Sequence, residues 1–67
     1  MNGIDELGLL IRLENKNIAI EGAEKLIAMF EKHDKNGELE NVVEDLRQSV
    51  MALTEERESI FNQLENE

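Results

Sequence analysis

Along the second half of the chain, Leu39, Val43, Leu46, Val50, Leu53, Ile60 and Leu64 recur at alternating steps of four and three, with Arg57 filling the one gap. That spacing is the seam of a helix packed lengthwise on another helix. The first half carries a stripe of the same period, formed by Leu9, Leu13, Lys16, Ile20, Ala23, Ile27 and Phe30, with Leu10, Ala19 and Leu26 on its flanks. Between the stripes stands His33-Asp34-Lys35-Asn36-Gly37. Asparagine and glycine adopt left-handed backbone conformations readily, so they end helices and make turns. Lys32 and His33 put cations at the end of the first helix, and Glu38, Glu40, Glu44 and Asp45 put acids at the start of the second. Both placements suit the helix dipole. The pattern predicts a helix over about 4–33, a turn at about 34–37 and a helix over about 38–65, in a single all-α domain spanning 1–67. Only residues 65–67 should fray.

Two arms of similar length around a short turn make an antiparallel helical hairpin. Centred near Lys35 and Asn36, it pairs positions whose numbers sum to about 71. Ile27 and Phe30 then fall near Val43 and Leu39, and Ile20 and Ala23 near Val50 and Leu46. Leu7, Leu10 and Ile11 fall near Ile60, Phe61 and Leu64. Lys16 and Arg57 share a level, where their like charges repel unless Glu14 or Glu56 pairs with them. An ion pair between Glu14 and Arg57 is expected, serving register more than net stability. A second stop is possible at Asn15-Lys16-Asn17, because asparagine weakens a helix interior and Asn17 is able to cap a new helix at Ile18. Gly8 and Gly22 add further cost.

One apolar set is left over. Ile4, Leu7, Ile11 and Ile18, interrupted by Glu14, form a second stripe on the first helix. At about 100° per residue, Ile11 points to the face opposite Leu9 and Leu13. A helix that is apolar nearly all round expects neighbours on more than one side. Three readings stay open: the hairpin dimerises into a four-helix bundle that buries the stripe, the stripe docks a different protein, or a break at Asn15–Asn17 lets the N-terminal segment turn it inward. On the second helix, β-branched Val43 and Val50 alternate with Leu39, Leu46 and Leu53, a pattern of parallel two-stranded coiled coils. A short turn forces the intramolecular neighbour to be antiparallel. Val42 and Phe61 widen the seam enough for a second neighbour, which again favours a homodimer.

Composition sharpens this reading. A chain of 67 residues buries little surface, and natural proteins of this size add a disulfide, a metal or a partner. There is no cysteine and a single histidine, which leaves self-association. The net charge is −9, and from Glu38 onward nine acidic residues face two arginines. Phosphate binding needs clustered Lys and Arg, so nucleic acids and anionic membranes are disfavoured, and a basic protein surface is the complementary partner. No basic leader precedes the apolar stretch from Leu7 to Leu13, and that stretch is far short of a membrane span, so a cytoplasmic protein is expected.

Chemistry-bearing motifs fail on spacing. The run from Asp34 to Leu39 has part of a calcium loop, but aligning Gly37 puts Lys32 and Val43 where Asp and Glu are required. His33 has no acid three or four residues away to make a helical metal pair. The pairs Asp5-Glu6, Glu44-Asp45 and Glu55-Glu56 have no concave pocket to separate their roles. Phe30 and Phe61 read as core. No cofactor and no catalysis are expected.

The order of elements (stripe, Asp34–Gly37 turn, stripe) resembles the Rop-type family of small dimeric helical-hairpin regulators, which bind RNA. The resemblance implies a dimeric four-helix bundle; the acidity here argues against the RNA binding. The chain is thus expected to be a homodimeric regulator or adaptor that binds another protein. Its candidate surfaces are the stripe Ile4, Leu7, Ile11 and Ile18 and the acidic residues Glu40, Glu44, Asp45, Glu55 and Glu58. Two alternatives are an acidic nucleic-acid mimic that blocks a basic protein and a structural spacer. The mimic is weakened because helix two presents acid at Glu40 and Glu44 and then at Glu55 and Glu58, with a gap in the row of carboxylates between.

Overall fold

The computed structural model describes residues 3–34 and 36–66. Lys35, at the centre of the expected turn, and Glu67, in the expected frayed end, lie outside the described residues. Two helices, α1 (Gly3–His33) and α2 (Glu40–Glu65), pack against each other as a hairpin. The rod measures 52 × 14 × 12 Å. No helix is long and apolar enough to cross a membrane among the described residues.

The seam between the helices follows the two stripes. Leu9, Ile20, Val43 and Ile60 are buried, and Ile60 is 1% exposed. Leu13, Ala23, Ile27 and Phe30 on α1 are half-buried, as are Leu39 just before α2 and Leu46, Val50, Leu53 and Leu64 along it. At the open end, Leu9 faces inward while Leu7, Leu10 and Ile11 are exposed. The register expected them near Ile60, but a period of 3.6 allows only one of these neighbouring positions to reach the seam. Leu26, Val42 and Phe61, expected to widen the stripes, are also exposed in the hairpin.

α1 is continuous, as the pattern over about 4–33 predicts, and the alternative break at Asn15–Asn17 does not occur. Leu13, Ile20 and Ile27 recur at seven-residue spacing on one face, and packing along that row outweighs the weak propensity of two asparagines. Gly22 lies on the outer side, where a Cβ would meet nothing within 4 Å. Gly22→Ala should therefore remove backbone entropy from the unfolded chain without strain, stabilising by about 0.5–1 kcal/mol. A thermal melt followed by circular dichroism should show a midpoint several degrees higher.

The turn is built by Asp34. Its N–H donates to the Phe30 carbonyl (2.8 Å), which closes α1. Its carboxylate then accepts from the Glu38 N–H (2.9 Å) and the Leu39 N–H (3.0 Å), which prepares the start of α2. Gly37, at φ 72°, supplies the left-handed residue between them. Because Asp34 holds the amides of Glu38 and Leu39 in the turn, α2 begins at Glu40, two residues later than the acidic run suggested. Leu39, at the cap position, has no side-chain cap bond of its own. Asp34→Ala leaves both amides to solvent and should cost about 1–2 kcal/mol, read as a lowered melting midpoint. Asp34→Asn, which keeps one acceptor, should fall between.

Candidate functional site

The outer faces are where the hairpin has chemistry to offer. On α1, Ile4, Leu7, Ile11 and Ile18 are 81%, 57%, 55% and 58% exposed. Their mean direction lies about 180° from that of Leu9, Leu13, Ile20 and Ile27 at 100° per residue. α1 thus has one apolar face spent on α2 and a second facing outward, while the apolar positions of α2 are concentrated on one side. Since α1 is unbroken, the route in which its N-terminal segment turns the stripe inward is closed.

On α2, Glu40, Glu44, Glu55 and Glu58 are exposed and project within about 60° of one another. Asp45, one residue past Glu44, points about 100° away and does not share that face. Exposed Met51 falls between the two acidic pairs. The acid-free stretch between the pairs therefore presents Met51, with Arg47 one turn before it, between carboxylates. Gln48 Nε2 donates to Glu44 Oε1 (3.0 Å) and steadies one edge of it. Near the turn, Arg47 bridges back to Glu31 of α1.

The polar layer within the seam differs from expectation. Glu14 does not reach Arg57. It lies two residues before Lys16, hence about 200° round the helix, and is exposed on the outer face. Lys16 pairs with Glu56, and Arg57 Nη1 donates to Asn17 Oδ1 at 3.2 Å. The amide of Asn17, at the possible break, is instead the acceptor that lets Arg57 lie against α1. Thr54 Oγ1 donates to the Val50 carbonyl (2.8 Å), so its half-buried hydroxyl is also satisfied.

The surface depressions are shallow. One runs beside the apolar stripe, between Ile4, Gly8 and Arg12 on α1 and Gln63 on α2. The other lies by the turn, between Glu31 and Asp34 on one side and Glu40, Glu44 and Arg47 on the other. Among the described residues, no three of His, Cys, Asp and Glu converge on a point where a metal ion would fit. His33 is exposed at the last residue of α1. The chain matches no protein-family model, no curated protein and no solved structure.

Proposed function

We propose that the chain is a non-enzymatic protein–protein interaction module: a homodimeric adaptor or regulator of four helices, whose acidic α2 face binds a protein with a basic surface. The observation that carries this reading is the division of labour between the outer faces. The exposed stripe of α1 is nearly uncharged, whereas α2 presents Glu40, Glu44, Glu55 and Glu58 around Met51. A carboxylate rim around an apolar centre is complementary to a basic surface that carries its own apolar residue, with the charges setting encounter rate and orientation. A cytoplasmic setting fits a chain that lacks cysteine.

The test is affinity capture from an extract of the source cells with the full chain and with the variant Glu40→Gln, Glu44→Gln, Glu55→Gln, Glu58→Gln. The reading expects basic proteins held by the native chain, released by raised salt and lost by the variant. An identical set of proteins captured by both chains would overturn it.

A further inference from the structure

We infer that the outer face of α1 binds a second copy of this chain, antiparallel, about a twofold axis at Ile11, so that four helices lie in a row in the order α2, α1, α1, α2. The inference rests on the homodimer reading above and deepens it by assigning the face, the direction and the register.

Area comes first. The chain exposes 5145 Å². A monomeric protein of 7.7 kDa is expected to expose about 4,300 Å². The excess, about 800 Å², comes with the rod shape and is comparable in size to one partner's share of a standard interface. The most exposed large apolar residue among those described is Ile4, and Leu7, Ile11 and Ile18 continue from it along about 21 Å of helix.

Charge selects the occupant. Within residues 3–20, Glu14 is the one charged side chain that projects within about 60° of the stripe, and Lys16 turns inward to Glu56, so two copies meet here with little repulsion. Along α2, seven acidic residues from Glu40 to Glu65 face only Arg47 and Arg57. Pairing through the outer face of α2 would bring those charges together; pairing through α1 keeps them at the far edges of the assembly.

Spacing selects the direction. Ile4, Ile11 and Ile18 are seven residues apart. A twofold axis at Ile11 sets Ile4 against Ile18 of the second copy, Ile11 against Ile11, and Ile18 against Ile4. At the edges of this seam Glu14 falls beside Leu7 of the second copy on one side, and Asn15 beside Gly8 on the other, so Glu14 keeps its carboxylate at the solvent margin. The two Glu14 carboxylates are then offset by about 9 Å along the axis. A parallel pairing would instead place Glu14 beside Glu14 within an apolar seam, where like charges are costly. Because the outer stripe lies opposite the α1–α2 seam, the four helices form a flat row and not a closed square.

The experiment combines light scattering with cysteine crosslinking, which the absence of native cysteine makes clean. The native chain should have the mass of a dimer. Ile4→Cys and Ile18→Cys variants, oxidised with diamide, should give no disulfide dimer when separate and a mixed dimer when combined; Ile11→Cys should crosslink to itself. Equivalent Ile4 positions would stand about 21 Å apart, beyond the reach of a disulfide. A dimer mass with Ile4→Cys crosslinking to itself overturns the antiparallel register and leaves the homodimer standing. A dimer mass with no crosslink at any of the three positions places the interface elsewhere and overturns the inference alone. A monomer mass overturns both.

Discussion

Ile60→Ala should unfold the hairpin. Ile60 is the most deeply buried side chain among the described residues, and it sits near the open end of the rod, opposite the turn. Truncating a fully buried isoleucine costs about 2–5 kcal/mol through lost transfer energy and the cavity left behind. A small chain whose core is one seam has only about 3–5 kcal/mol of stability to lose. The variant should therefore lose most of its far-ultraviolet circular dichroism at room temperature. Met51→Ala, at an exposed position on the acidic face, is the matching control and should shift stability by less than about 0.5 kcal/mol. An Ile60→Ala chain that melts like the native protein would mean that the seam does not hold the helices.

The second large effect has the opposite sign. Lys16 and Arg57 interrupt both apolar stripes at mid-rod, and each is held by a polar partner on the other helix, Glu56 and Asn17. Both side chains are half-buried, so replacing this layer by leucine gains partial apolar burial at the seam, worth about 1 kcal/mol, and gives up only weak, partly solvated pairing. Lys16→Leu combined with Arg57→Leu should raise the melting midpoint by several degrees. It should also remove the feature that fixes how α2 slides on α1, since an unbroken apolar seam tolerates shifts of one heptad. Amide NMR spectra should then broaden or double. Glu56→Gln alone should do little: the Lys16 and Glu56 side chains are 29% and 54% exposed, and pairs this wet contribute under about 1 kcal/mol.

The hairpin was legible because its seam residues keep their spacing without a slip on both arms, and because Asn36-Gly37 marks the turn in plain sequence. What was not legible has specific causes. Glu14 seemed close to Arg57 when counted along the chain, but a step of two residues turns a side chain to the far face. The start of α2 was read two residues early because acids favour an N-terminus wherever it lies, whereas the start is set by the Asp34 carboxylate. An acid four and five residues ahead of those amides, just before Asn-Gly, was the available signal. The outer stripe of α1 was visible as a pattern, and its exposure is a matter of phase. Periodicity tells which face a residue occupies and is silent on what covers that face.

The unbroken course of α1 has a consequence for the life of the chain. A helix of 31 residues that contains Gly8, Asn15, Asn17 and Gly22 draws its order from its neighbours more than from its own propensity. With a second copy on its outer face, as proposed above, ordering α1 and covering that face would be one equilibrium governed by mass action. Its melting midpoint should climb with protein concentration. Copies too dilute to pair would then spend more time open to proteases.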